Sequence, residues 1–343
     1  MTSKKTFNKS ACFTDIHFGK HNNSEMHNQD CLNFISWFCD FIKSDKDIDH
    51  IVFLGDWFEH RSAINGLTLN MSYEGAKLLN QLGLPIYFIV GNHDLYYRNT
   101  REIFTTKIFD SLENFILIDK PIEINNTLFC PFLVPDEYGI LNSTKCPVIY
   151  GHFEFKGFVL TGETYKLEHG PDPELFNKPK KIFSGHFHKR QSSSNVHYIG
   201  NTFPMDFGDA NDFDRGCALY DYKSDTVEYK NWKTAPVYIR KNLTEILDNP
   251  GCLKENSRVI IKVDSDLSFD ETNKLKETLQ NKFKLREINF QEPPLELPEP
   301  TDAEKIIDEK ELSTTTDIVV ALLDTVEVDG IDTELLQKNY REL

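Results

Sequence analysis

The sequence lacks the features that would place it in several large classes. No apolar run in its 343 residues reaches the roughly 18 residues that a membrane-spanning helix needs. The amino-terminal MTSKKTFNKSACF has no apolar core of the length expected in a secretory signal. The seven cysteines (12, 31, 39, 130, 146, 217 and 252) are odd in number, widely spaced and without a C-x-x-C pair. A disulfide framework or a cysteine-rich zinc site is therefore not expected, and a reducing compartment, the cytoplasm, fits better. Positive charge is scarce: 38 Lys and Arg stand against 54 Asp and Glu, a net −16. A whole-molecule electrostatic grip on nucleic acid is excluded. An anionic substrate must be held by local bases, by metal ions or by a partner. There is no internal repeat and no low-complexity tract.

The negative charge is uneven. Residues 301–343 carry 12 acids and 4 bases, half of the net charge. EPPLELPEP (292–300) precedes them, and its four prolines read as an extended linker, because proline can continue neither a helix nor a central strand. A softer boundary near Ala235-Pro236 follows a series of short strands. The expected layout is a main domain over 1–235, a small domain over 236–292, a linker over 293–300 and a tail over 301–343.

Strand-like runs are HIVFLGD (50–56), PIYFIVGNHD (85–94), NFILID (114–119), TLFCPF (127–132), CPVIYGHF (146–153), KKIFSGHFH (180–188), VHYIGN (196–201), CALYDY (217–222) and TVEYKNW (226–232). Several are almost continuously apolar, as strands buried on both faces are. Helices are expected over roughly 25–44, 67–82 and 100–112. The alternation predicts a layered α/β sandwich. Over 237–292, a strand in SRVIIKVD, a helix opened by a Ser268/Glu271 capping box and a strand in LREINF predict a small α+β unit. In the tail, Ile318, Val319, Leu322, Leu323 and Val326 share one helical face, as do Leu335, Leu336 and Tyr340 after a break at Asp329-Gly330.

The chemistry sits where strands end. In chain order the motifs are D-x-H at Asp15 and His17, G-D at Gly55 and Asp56, G-N-H-D from Gly91 to Asp94, G-H at Gly151 and His152, and G-H-x-H at Gly185, His186 and His188. Strand C-terminal edges are where sites assemble in open α/β sheets. Every motif brings an Asp, Asn or His, the nitrogen and oxygen ligands that suit Mn, Fe or Zn. A glycine before the ligand lets the chain turn off the strand. One such motif is commonplace. Together they contain five of the eleven histidines, and a purely structural role would require buried partners for seven polar side chains. Seven ligands exceed the needs of one ion and suit two, with one carboxylate shared.

These motifs, in the segments GNHDLYYRN, GHFEFKGF, SGHFH, YIGN and GDANDFDRGCALYDY, resemble those of the calcineurin-like metallophosphoesterase superfamily. Within it the chain is most similar to the SbcD-type DNA-repair nucleases, including the nuclease subunits of T-even-type bacteriophage recombination endonucleases. The resemblance covers about residues 10–235 and fades beyond. It implies a four-layer α/β sandwich of two mixed sheets flanked by helices, with a small α+β capping domain and a C-terminal helical tail. It implies a first divalent ion on Asp15, His17, Asp56 and His188, and a second on Asp56, Asn92, His152 and His186, with Asp56 bridging. Mn²⁺ is the implied metal and Mg²⁺ the alternative. The implied activity is exonuclease on duplex DNA ends and endonuclease on single strands, in replication, recombination and double-strand-break repair. The implied partners are DNA, a second copy of the chain, and an SbcC-type ABC ATPase whose coiled coil meets residues 301–343. If phage-encoded, the chain would work in the host cytoplasm.

His93 follows a ligand and is expected to face substrate as a general acid. Asp94 is expected either to hold the other side of that ring or to cap the turn. Many relatives have a histidine three residues after the bridging aspartate; here Glu59 stands there, followed by His60. Lys20, Arg61, Arg98, Arg101, Lys189 and Arg190 recur in the ligand loops and are expected to form a local positive patch for phosphates. Tyr96, Tyr97 and Phe187 are candidates for stacking on a base. A cyclic-nucleotide or other small-molecule phosphodiesterase would carry nearly the same motifs, and a metal-free scaffold is a third reading. The capping domain, linker and acidic tail favour the nuclease.

Overall fold

A computed structural model of the chain describes residues 6–161, 165–265 and 267–291. The strands form largely from the apolar runs, and the central ones are covered on both faces. In chain order they are β1 (Lys9–Phe13), β2 (Ile48–Phe53), β3 (Ile86–Ile89), β4 (Phe115–Ile118), β5 (Ile122–Ile124), β6 (Thr127–Phe132) and β7 (Val148–His152). A short hairpin of β8 (Val159–Thr161) and β9 (Tyr165–Lys166) follows, then β10 (Lys181–Gly185), β11 (Gln191–Ser193), β12 (Val196–Tyr198), β13 (Gly216–Asp221) and β14 (Thr226–Asn231). They form two six-stranded sheets, ordered β14-β13-β1-β2-β3-β4 and β11-β12-β10-β7-β6-β5. Each is mixed: the first is parallel from β1 to β4 with antiparallel β13 and β14 at one edge, and the second is parallel at its centre with antiparallel pairs at both edges. The parallel register brings the C-terminal ends of β1, β2 and β3 to one edge, and those of β7 and β10 to the matching edge of the second sheet.

Between the sheets lies an apolar layer. Val52, Leu54 and Ile89 meet Phe129, Val148 and Phe183 there. Tyr87, Phe129, Tyr150 and Phe183 stack in a row, with successive ring centroids 4.3, 5.5 and 5.1 Å apart. The outer face of the first sheet is covered by the helices Glu25–Ser44 and Gly66–Asn80. Both begin at polar caps: the Ser24 side chain accepts from the His27 amide, and Asn65 from the Thr68 amide. The first helix buries Cys31, Phe34, Ile35, Phe38 and Ile42 at helical spacing. Among the described residues, the second sheet's outer face carries single helical turns, at Pro135–Glu137, Ile140–Ser143 and Pro173–Phe176. Tyr138, Phe153, Phe155 and Phe176 fill the space between. The architecture is the four-layer metallophosphoesterase sandwich, with its fourth layer built of turns rather than long helices.

Two expectations are corrected. Residues 100–112 do not form an α-helix; only Thr105–Ser111 coils, as a 3₁₀ segment. Leu95 pairs with Phe104 as a β-bridge, and the Thr105 amide donates to the Asp94 carbonyl, so the segment is tied to the G-N-H-D loop. The first motif also follows a strand, β1, that the apolar runs did not mark.

Residues 236–292 build a parallel three-stranded sheet, β15 (Tyr238–Asn242), β16 (Arg258–Lys262) and β17 (Glu287–Gln291), with the helix Phe269–Phe283. That helix opens on the expected Ser268/Glu271 capping box. The unit has its own core around Ile239, Ile246, Val259, Ile261 and Ile288. It is nevertheless one compact body with the sandwich: the chain divides only between Glu292 and Pro293. Arg286 grips Asp30 through two hydrogen bonds of 2.6 and 2.8 Å. The linker 293–300 and the tail 301–343, with its expected helices, lie outside the described residues. Among the described residues no disulfide joins any of the cysteines. Among the described residues no helix is long and apolar enough to cross a membrane.

Candidate metal centre

Five loops deliver the seven side chains to one place. Asp15 and His17 follow β1, Asp56 follows β2, Asn92 follows β3, His152 ends β7, and His186 and His188 follow β10. His17 Nε2 lies 3.8 Å from both Asp15 Oδ1 and Asp56 Oδ2, and 3.2 Å from His188 Nε2. On the other side, His152 Nε2 is 3.4 Å from Asp56 Oδ2 and 2.8 Å from Asn92 Oδ1. His186 Nδ1 is 2.9 Å from the same Asn92 oxygen. Asp56 therefore stands between a His17 side and a His152 side.

Holding these groups strains the backbone. Asp15, His17, Asp56 and His186 all have positive φ, at 50°, 51°, 62° and 89°. Such conformations persist only where the surroundings enforce them. The loops are stitched together: the Asp15 amide donates to the Gly55 carbonyl at 2.9 Å, and the Phe18 amide to the Trp57 carbonyl at 2.8 Å. The His186 amide donates to Asp15 Oδ2 at 3.1 Å, which ties the second sheet to the first. The glycines serve two different ends. Gly55 sits at φ 104°. Gly91 is needed for space instead, since a Cβ there would fall 2.2 Å from Asp56 Oδ1.

The electrostatics call for cations. His152 Nδ1 lies 2.7 Å from the Leu54 carbonyl, to which it must donate. In the neutral ring, Nε2 then presents its lone pair to two oxygens, an arrangement with no proton to share. Burial alone would lower the pKa of His152, but the Asp56 carboxylate pushes it up to about 9. Burial likewise opposes charge on His17, yet Asp15 and Glu59 push it up to about 10. Burial, and then the charge of His152, holds His186 down at about 3. Burial also opposes ionisation of Asp56, but the facing imidazoles hold it well below the usual carboxylate range. The donor set thus fits divalent cations, which would take over the charge-balancing role of two protons. Asp15, His17 and His188 form one cluster of mutually close donors, and Asp15, Asp56 and His152 another.

The remaining expectations divide. His93 is half-buried beside the cluster, its ring edge-on to His17 with centroids 4.9 Å apart. Asp94 does not hold it. The fully buried Asp94 carboxylate instead accepts from the amides of Asp56, Trp57, Phe58 and Gly91, at 2.9 to 3.3 Å. It caps the loop that carries Asp56, and its expected catalytic role is withdrawn. His93 Nδ1 donates to the Glu59 carbonyl at 2.9 Å.

Two expected phosphate contacts are also corrected. Arg101 is committed to Glu137 and to the carbonyls of Asp119 and Phe132. Arg190 donates to Asn231 and the Ile199 carbonyl and lies 4.4 Å over the Tyr229 ring. Lys20 lies between Glu59 and Asp206. Arg61, Arg98 and Lys189 have no ion pair among the described residues. Phe187 is buried against Tyr198, whereas Tyr96 and Tyr97 are half exposed. In the GDANDFDRG segment, Arg215 is buried and bonded to Asn201, Asp209 and Asp212, which makes it a structural knot. Thr14 and the Leu54 carbonyl were not foreseen, and Glu59, singled out by its position after Asp56, lies against His17. Thr14 Oγ1 donates to Asp15 Oδ2 at 2.6 Å.

A family model described as calcineurin-like phosphoesterase matches residues 9–215, which contain every loop just described. The chain belongs to that family. Members of it use divalent metals, in keeping with the donor set. The chain is 26% identical over 258 residues to a protein of Enterobacteria phage T4 named exonuclease subunit 1, covering 64% of this chain and 75% of that protein. Among solved structures, a dimetal phosphatase from Danio rerio is 11% identical, covers 66% of this chain and 96% of its own, and has a TM-score of 0.41. A nuclease from Pseudomonas putida is 15% identical, covers 62% and 84% respectively, and has a TM-score of 0.32.

Proposed function

We propose that the chain is a metal-dependent DNA nuclease that hydrolyses phosphodiesters at a centre of two divalent ions, Mn²⁺ in the first place. The observation that carries the reading is the convergence of seven nitrogen and oxygen donors from five strand ends on both sides of Asp56. The phage relative, named an exonuclease subunit, supports DNA as substrate. Asp15, His17, Asp56 and His188 would hold one ion, and Asp56, Asn92, His152 and His186 the other. Ions held there would polarise a phosphoryl group and acidify water.

The chain's own groups do the rest. His93 has given its Nδ1–H to the Glu59 carbonyl, so in the imidazolium form Nε2–H carries the proton that can pass to a leaving oxygen, leaving the neutral ring. Asp94 keeps the Asp56 loop rigid. Arg61, Arg98 and Lys189 are the bases free to meet phosphates, and Tyr96 and Tyr97 the rings free to stack on a base. Exonuclease action on duplex ends with endonuclease action on single strands, work beside a coiled-coil ABC ATPase bound through residues 301–343, and a homodimer complete the reading.

The deciding experiment incubates the protein with linear duplex DNA and Mn²⁺, with cyclic nucleotide in parallel. DNA degradation that weakens as salt rises is expected. Rapid hydrolysis of the cyclic nucleotide with intact DNA would replace this reading by a small-molecule phosphodiesterase. Deleting residues 301–343 should leave the cleavage and abolish ATPase co-purification.

A further inference from the structure

The imidazoles of the centre are not all anchored in the same way. His152 leans on the main chain, at the Leu54 carbonyl. For His17 the group beside Nδ1 is a side chain. His17 Nδ1 and Glu59 Oε2 lie 2.8 Å apart, both atoms are buried, and neither is in a formed hydrogen bond, so this close approach is the contact each has to complete. Glu59 also reaches a second imidazole, because its main-chain oxygen accepts from His93 Nδ1. The residue is itself pinned: its amide donates to the Phe18 carbonyl at 3.0 Å, one residue beyond His17. One residue therefore touches a metal-facing ring and a substrate-facing ring through two different atoms.

We infer that Glu59 is a positioning residue: its carboxylate fixes the His17 ring with the proton on Nδ1 and Nε2 free for a cation, while its carbonyl holds His93. The inference rests on the two-ion reading above. A neutral imidazole has one proton to place, and a carboxylate, which can only accept, draws it to the nearer nitrogen. A carboxylate behind a metal-ligating histidine sets the tautomer, the ring orientation and the basicity of the ligand. The two roles are separable. A side-chain substitution removes the hold on His17 and leaves the main-chain hold on His93 in place. A glutamine loses the charge that draws the proton to Nδ1 and offers a donor in place of one acceptor oxygen, so the His17 proton is released to Nε2, where it blocks the cation.

The test uses the full chain as wild type, Glu59→Gln and Glu59→Asp. Mn²⁺ affinity is measured by calorimetry, and the His17 tautomer by ¹⁵N NMR in chelator at a pH high enough that the ring is neutral. Glu59→Gln should weaken the binding of one of the two ions by about 10- to 100-fold. The Mn²⁺ concentration for half-maximal cleavage should rise by the same factor, and the His17 proton should move to Nε2. Glu59→Asp keeps the charge and should recover part of the affinity, which loss of packing alone would not predict. Should the Gln variant not fold, the Asp variant carries the test, with the same change in smaller measure. Unchanged Mn²⁺ affinity and an unchanged His17 tautomer in a folded Gln variant would overturn the inference while leaving the nuclease reading intact. A wild type that binds no divalent ion would overturn both.

Discussion

His17 and His152 flank the same carboxylate, are equally buried, and are both pushed toward the charged form, yet they are held by different kinds of group. His152 ends a strand and leans on the carbonyl of Leu54, in the neighbouring strand-end loop. His17 lies in a strained loop and faces the side chain of Glu59. A main-chain anchor comes with the fold and cannot be removed by substitution. A side-chain anchor can be altered without touching the fold, so the His17 side is where the centre can be tuned.

The largest expected effect comes from removing what both sides share. Asp56→Asn should take the metal content from about two ions per chain toward zero, and slow cleavage by at least about 10³-fold. Elemental analysis that finds both ions retained would end the comparison, since Asp56 would then not join the sides. His93→Gln comes next. It should slow cleavage by about 10²-fold with both ions in place, as for loss of a general acid. A variant that loses metal as well as rate would make His93 a ligand of the His17 side.

Changing pH acts on both sides through their protons. Without metal, His17 titrates near 10 and His152 near 9, both above the 6.5 of a free imidazole. Their contribution to stability is then fully present below pH 6.5 and lost as pH rises through 9 to 10. Thermal unfolding in chelator should show that decline. Mn²⁺ competes with the same protons, so its stabilising effect should grow over the same range. A melting midpoint in chelator that stays flat across this window would mean that the two imidazoles are not held as cations.

The smallest effects concern the rim. Arg98→Ala should weaken DNA binding modestly and reduce the salt slope by about one. Arg101→Ala should leave that slope alone and cost about 1–3 kcal/mol of stability, because it strips the partner from Glu137. The reverse outcome would return Arg101 to the phosphate contacts.

Much of this was legible in the residues. Strand-like runs marked nine strands, several of them almost continuously apolar because strands buried on both faces leave no room for polar alternation. The Ser268/Glu271 box marked a helix start, because capping needs only residues three positions apart. The motifs at the strand ends pointed to one edge, because a parallel sheet places equivalent ends together. The 3₁₀ segment at Thr105–Ser111 was not legible: its composition suits a helix, and its ties to the Asp94 loop come from tertiary contacts.

The sequence by itself determined the class of chemistry. Asp, Asn and His after strand-end glycines can do little else together, and this follows from residue type and short-range spacing. Only the tertiary structure decided which neighbours those residues meet. Asp94 follows His93 directly, yet it spends its carboxylate on four amides, three of them 36 to 38 residues away. Arg101 and Arg190 carry the charge a phosphate wants, but closer partners inside the fold claim them first. Glu59 is marked in the sequence only by its position after Asp56, and its partner is set when the loops after β1 and β2 bring it against His17. A buried polar group is defined by the partner it finds, and that partner is set by packing across sheets rather than by order along the chain.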